Sequence, residues 1–551
     1  LVLLLLLALA LRLINLQERP LWYDEAFAVL FADAGLSAML YGTLTPVAGG
    51  AADIHPLLYY LTLDGWMGVF GQSPFAVRLW SVFLGLLTVA ALFTLARRLL
   101  GVRVAWAAAL LLALAPFHVQ YSQETRMYAL LGLLAVLTSY ALFKAVGYRL
   151  PGASDQRPAT SPIQKSTEYS VLSTESSPAP DANRVSWTAV FTWTLFGLGA
   201  ALMMYTQQLA AFYLAALGLI PILARRWRSL GWLVYGVGLA ALIYLPWLVQ
   251  LPGQLAKVGS YYWIEQPTVA TFLRTTFSFL VVNLDIPRQT FAWTLAVAVF
   301  LVVLLAAFLL LRLVSRGARK LPSRSAGLMV LWMAVMPMLG MWLVSQVRPV
   351  YLERALLPSA VMLYLFIGWM LAEEVIPRLF ARLLAIPLLA LAVVGLYHHY
   401  TWATFPNSPF NAAVAQIRAA WQPGDVIVHL NKLSALPMIF YGRDLEQTYL
   451  ADRPGSPEDT LALPTQESLG LLADGCIQQA AAGAGRIWWV EFERIAAEYA
   501  AAGRPDYQQA LDWLTTHYTR QDSLLLNDLR ITLYVQPRGE LSPDCPPSAE
   551  S

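Results

Sequence analysis

Residues 21–27 read LWYDEAF, so two carboxylates, Asp24 and Glu25, stand side by side just beyond an apolar run. A carboxylate placed there can take a proton at a membrane surface, provided it lies within hydrogen-bond reach of the group it deprotonates. The same two acids also suit the first turn of a helix, where the macrodipole favours negative charge. Taken alone, the dipeptide leaves both readings open. The stretch DIHPLLYY (53–60) offers His55, which can meet a phosphate entering from the bilayer or simply mark the headgroup level. Tyr59 follows on the same segment as a candidate groove residue. The stretch YSQETRMY (121–128) places Glu124 and Arg126 in a very short connection between two apolar runs. Ionisable groups at such a mouth face a cavity or a partner. VRPVYLERALLP (347–358) holds Arg348, Tyr351 and Arg354. A cation at a helix start opposes the dipole, and a bound anion would account for it. The fork of guanidinium donors matches phosphate, although snorkelling to lipid headgroups fits as well. Tyr261 and Trp263 lie in a long connection, where aromatics serve either as a substrate wall or as an interfacial belt.

The elements that must position these groups are apolar. Of 551 residues, 58% are hydrophobic and 13% charged, against about 25% charged in a soluble domain. A spanning helix needs about 20 apolar residues. About eleven runs qualify: 1–16, 79–96, 104–120, 127–146, 187–206, 209–224, 230–249, 291–311, 326–345, 355–372 and 383–398. The opening run is expected to be an uncleaved first span. Alternate loops are basic, as in RRLLGVR (97–103), RRWR (225–228), RLVSRGARK (312–320) and EEVIPRLFAR (373–382). These are assigned to the cytoplasm. The other set, which contains 17–78, 121–126, 249–290, 346–354 and everything after 399, faces outward, and it carries every candidate above. The segment 55–71 is short and interrupted by Asp64, so it is expected to lie in the interface rather than span. Residues 147–186 form a cytoplasmic loop whose core, 151–184, is rich in Ser, Thr and Pro and is expected to be disordered.

Beyond residue 400 the pattern changes. GDVIVHL, RIWWVEF and RITLYVQ read as buried strands, and FNAAVAQIRAAW, ESLGLLADGCIQQAA and DYQQALDWLTTHY as amphipathic helices. The expected organisation is a membrane domain over 1–399 and a small extracytoplasmic α/β domain over 400–551. The two cysteines, Cys476 and Cys545, both fall in that second domain and can form a disulfide if it faces an oxidising compartment. His398-His399 is expected to be an interfacial pair rather than a chelating one. No zinc-binding, P-loop or basic-aromatic pattern is present, so no nucleic-acid partner is expected.

The order of these pieces is more specific than any one of them: span, acidic pair, HP-L-YY segment, E-x-R-x-Y between two spans, and R-x-L-L-P near the end. It resembles the bacterial membrane glycosyltransferases similar to protein O-mannosyltransferases and the lipid A aminoarabinose transferase, whose fold is called GT-C. The resemblance covers about residues 1–400. It implies a polytopic α-helical GT-C protein with juxtamembrane helices on the outer face, seated in the cytoplasmic membrane, and the loop charges put its N-terminus inside. It implies a polyprenyl-phosphate sugar donor and an inverting transfer to the hydroxyl of a lipid, glycan or protein. Asp24 matches the family's proposed base, Glu25 its acidic neighbour, Glu124 the second outer-loop acid, and His55 and Arg354 the donor-phosphate side. Asp24 and Glu124 are the ligands of a divalent cation if the enzyme uses one. Two departures stand out: Leu57 replaces the second proline of HPPL, and Tyr205-Thr206-Gln207-Gln208 replaces a Tyr-Thr-His-Tyr-like run. A lipid-linked saccharide flippase and a ligase using a lipid-diphosphate donor are the alternatives. The first needs a polar path through the bundle, yet the runs hold almost no ionisable residues.

Overall fold

The computed structural model describes residues 1–45, 55–148, 187–252, 264–281, 288–314, 323–373, 375–452, 460–538 and 543–545. Tyr261, Trp263 and the linker 151–184 lie outside the described residues. Among the described residues, eight helices are long and apolar enough to cross a membrane, or nine if one bent pair counts as a single span. That is fewer than the eleven expected, and the differences have local causes. The first run gives α1 (Val2–Leu13), which ends where Ile14 turns extended and Asn15 takes a positive φ. The run 209–224 is broken into Ala210–Gly218 and Ile220–Leu223. Pro221 sits at the start of the second piece, where its missing N–H does no harm.

The run 104–120 is the bent pair. Helix α6 (Val102–Leu114) and helix α7 (Pro116–Ser122) meet at 62°. Proline cannot donate within a helix and pushes the residue before it out of the α region; Ala115 is accordingly extended. The bend leaves helix-end carbonyls with weak backbone partners or none, Leu112 O accepting only Ala115 N at 3.4 Å. The buried Arg12 guanidinium from α1 takes two of them, Ala113 O at 3.2 Å and Leu112 O at 3.5 Å. The bend thereby aims α7, and the loop that follows it, toward one end of the bundle.

The acidic pair opens α2 (Tyr23–Asp33). A single helix to about residue 40 is the sequence expectation. Instead Gly35, at φ +84°, turns the chain into a second helix, α3 (Gly35–Leu44). Helix α4 (Leu58–Phe70) covers the HPLLYY segment. Its 13 residues span only about 20 Å at 1.5 Å per residue, too little for a hydrocarbon core of about 30 Å. Helix α5 (Pro74–Leu99) is a full span, capped by Ser73. Helix α8 (Tyr128–Ala145) leads away from the 122–127 loop. The helix Leu357–Ala372 lies tight against α6: a Cβ at Gly368 would meet the Ala108 backbone nitrogen at 2.8 Å. Small residues permit such approaches between helices. The contact brings the 3₁₀ turn that leads into that helix, Glu353–Leu356 with Arg354, up to the loop carrying Glu124.

At one end Arg312 donates to Val375 O at 2.9 Å, joining two of the basic loops. At the other end lie α2, the 122–127 loop, Arg354 and the C-terminal unit.

That unit is a five-stranded mixed sheet in the order β2-β1-β3-β5-β4. Strands β1 (Asp425–His429), β3 (Arg486–Phe492) and β5 (Leu529–Val535) are the three expected; β2 (Gln447–Tyr449) and β4 (Thr519–Leu526) were not foreseen. β1 runs parallel to β2 and β3, and β5 antiparallel to β3 and β4. The helix expected over ESLGLLADGCIQQAA is two pieces, Leu463–Leu469 and Ile477–Ala480, because Gly470 at φ +66° ends the first. The sulfurs of Cys476 and Cys545 are bonded. The unit docks on the acidic-pair helices. Leu21 N donates to the Tyr441 hydroxyl at 2.8 Å, and Arg443 pairs with Asp33 at 2.8 Å.

Candidate active site

The two adjacent acids point into different surroundings. Glu25 is 1% exposed. Its carboxylate accepts Arg78 Nε at 2.8 Å, Arg78 Nη2 at 2.5 Å and the Thr125 backbone N–H at 2.8 Å. Arg78 spends its remaining donors on the carbonyls of Leu16, Arg19 and Pro20. With Trp22 N at 3.5 Å as a fourth donor to Glu25, both oxygens of the acid and all five N–H groups of Arg78 are engaged inside the protein, so Glu25 ties α2, α5 and the 122–127 loop together. The sequence reasoning missed Arg78. Its one signal was an arginine directly preceding the apolar run 79–96.

Asp24 turns toward the mouth of the bundle. Arg354 Nη1 donates to its Oδ2 at 2.6 Å, and Arg126 Nε stands 3.9 Å from the same oxygen. Arg126 Nη1 also reaches the Asp24 carbonyl at 3.3 Å. Burial pushes the Asp24 carboxyl up, but Arg126 and Arg354 outweigh it and hold it below the usual carboxylate range. The Arg354 guanidinium lies over the Tyr128 ring, 5.5 Å from its centroid, while its Nε has no hydrogen-bond partner among the described residues.

Glu124 sits in the same mouth at 8% exposure, and no described residue donates to its carboxylate. Burial drives its carboxyl up to about 7; the arginines offset this only in part, and Glu25 and Asp24 reinforce it. The loop that holds it is fixed residue by residue. Gln123 Nε2 donates to Arg12 O and Ile14 O, and its Oε1 meets His399 Nε2 at 2.8 Å. His399 is therefore buried against this loop rather than interfacial.

His55 stands within electrostatic reach of Asp24, Arg126 and Arg354; burial first, then the two cations, lower it to about 3. It is a neutral ring near pH 7. Tyr59 is fully buried on α4. Tyr351 commits its hydroxyl to Thr275 at 3.0 Å, on the helix Val269–Val281. Arg348 is exposed. The structure thus brings Asp24, Glu124, Arg126, Arg354 and His55 to one place and sets Arg348 and Tyr351 apart from it. The C-terminal unit also reaches the rim: Lys432 Nζ lies 5.8 Å from the centroid of the Tyr23 ring.

Among the described residues no group of three or more His, Cys, Asp or Glu side chains converges as metal ligands. Two guanidiniums already occupy the field of Asp24, and that donor set suits an anion better than a divalent cation.

The fold is that of a polytopic helical membrane protein with an appended mixed α/β sheet, the GT-C arrangement. Residues 54–152 match the family model described as dolichyl-phosphate-mannose-protein mannosyltransferase. ArnT from Cupriavidus metallidurans, solved in the apo state and bound to undecaprenyl phosphate, is similar at a TM-score of 0.55 with 13% identity, over 98% of this chain and 99% of that one. The Archaeoglobus fulgidus oligosaccharyltransferase in its apo form is similar at 0.51 with 13% identity, over 91% of this chain and 70% of that one. No curated protein matches in sequence. These similarities bear out the resemblance drawn from the motifs.

Proposed function

We propose that this chain is an inverting glycosyltransferase. It moves a sugar from a polyprenyl-phosphate donor to an acceptor hydroxyl on the outer face of the cytoplasmic membrane. One observation carries the reading: two arginines from separate elements converge with two carboxylates at the mouth of an apolar bundle. The family match over 54–152 and the ArnT fold, solved elsewhere with undecaprenyl phosphate, support it.

The donor's tail stays in the bilayer and its phosphate meets Arg354 and Arg126. Negative charge on that phosphate grows as the bond to the sugar breaks, so fixed guanidiniums stabilise the transition state more than the ground state. The neutral His55 ring can donate an N–H there. A carboxylate of the Asp24–Glu124 pair takes the acceptor proton on the opposite face of the sugar, which gives inversion. Glu25 and Arg78 position this machinery without touching substrate.

The test uses purified protein in native lipid with a panel of radiolabelled polyprenyl-phosphate sugars, comparing wild type with Asp24→Asn. Loss of donor consumption in a folded variant supports the reading. Equal consumption in both removes Asp24 from the reaction.

A further inference from the structure

We propose that Glu124, rather than Asp24, is the group that takes the acceptor proton, while Asp24 orients the two guanidiniums for the donor phosphate. The inference rests on the glycosyl-transfer reading above and departs from the role the resemblance gives Asp24.

A general base needs a free lone pair aimed at the hydroxyl, and it works best with a pKa near the operating pH. Asp24 has neither. Its Oδ2 is taken by Arg354 at 2.6 Å and approached by Arg126 at 3.9 Å, so protonating it breaks two ion pairs. Glu124 is the reverse case. It is buried at the mouth, and no described donor reaches its carboxylate. The charged groups facing it are Arg354 and Arg126, together with the carboxylates of Asp24 and Glu25. Arg19, Arg78 and the phenols of Tyr59, Tyr121 and Tyr128 lie within electrostatic reach on neighbouring elements. Burial dominates that balance and raises the carboxyl to about 7. Two carboxylates whose surroundings push their acidities apart divide the chemistry between them.

In the step itself, a Glu124 oxygen accepts the hydroxyl proton as the acceptor oxygen bonds to the anomeric carbon. The bond from that carbon to the phosphate oxygen breaks, and its electron pair leaves with the polyprenyl phosphate. The proton on Glu124 then passes to water.

The test follows hydrolysis of whichever radiolabelled polyprenyl-phosphate sugar the wild type consumes, with water as the acceptor, from pH 4 to 9 at saturating donor. The expected wild-type rate falls as pH drops through about 7, the direction set by protonation of a base. Glu124→Gln is expected to lose about 10²- to 10⁴-fold and the limb with it. Glu124→Asp should keep a limb at reduced rate, and Asp24→Asn should raise the donor KM while the limb stays near 7. A wild-type limb below about 4, or an Asp24→Asn variant that erases the limb while Glu124→Gln keeps it, overturns the assignment. A wild type that consumes no donor at any pH overturns the underlying glycosyl-transfer reading, and this assignment with it.

Discussion

Three acid–arginine pairs in this molecule look alike in outline and differ in what they leave undone. In the C-terminal sheet, Asp425 accepts Arg486 Nε at 2.7 Å, Arg486 Nη2 at 2.6 Å, Trp488 Nε1 at 2.9 Å and Gln422 N at 3.1 Å. Glu25 and Arg78 are saturated in the same way. At the mouth, Asp24 has one close guanidinium, Arg354 keeps a buried Nε without a partner among the described residues, and Glu124 accepts from none of them. Asp425 and Glu25 meet their partners inside the protein, whereas at the mouth the charged groups stand short of partners where a phosphate and a hydroxyl would supply them. The difference separates charges that hold the structure from charges that await a substrate. It also cuts between two neighbours in sequence, Asp24 and Glu25.

The contrast breaks most visibly at the saturated end. Arg78→Met strands Glu25 in the interior and is expected to cost about 3–5 kcal/mol, read as a large fall in thermal stability in lipid. If stability holds, Glu25 is not the structural acid described here. Arg354→Gln should do the opposite: a loss of about 10²- to 10³-fold in donor consumption with little change in unfolding temperature. His55→Phe removes one neutral donor and should cost about 0.5–1.5 kcal/mol of transition-state binding. Because His55 is held near 3 and stays neutral above that, its removal should leave the pH–rate profile between 5 and 8 unchanged in shape; a lost inflection near 6.5 would show a titrating histidine instead. Arg348→Ala should have the smallest effect, within about 0.5 kcal/mol, since the side chain is exposed and apart from the mouth.

Much of this was legible in the residues. Apolar runs and loop charge reveal the bundle and place the acids, His55, Glu124 and Arg354 at one end, because membrane spanning constrains sequence so strongly. Three of the five strands declare themselves by their buried β-branched and aromatic runs. What stayed hidden depends on contacts far apart in the chain. Nothing local says that Glu25 turns inward to Arg78, 53 residues on, while Asp24 turns outward to Arg354, 330 residues on. The bend at Pro116 was readable in principle, yet its carbonyls' partner, Arg12, was not. β4 escaped because its outward face is polar, and β2 because it has only three residues.

The most direct test of the central claim is binding of undecaprenyl phosphate to the purified protein, in wild type, Arg354→Gln and Arg348→Ala. If the under-partnered mouth is the donor site, Arg354→Gln weakens binding at least about tenfold, the worth of one charge-assisted contact, and Arg348→Ala binds as wild type does. Equal affinity in all three, or a loss confined to Arg348→Ala, would contradict it.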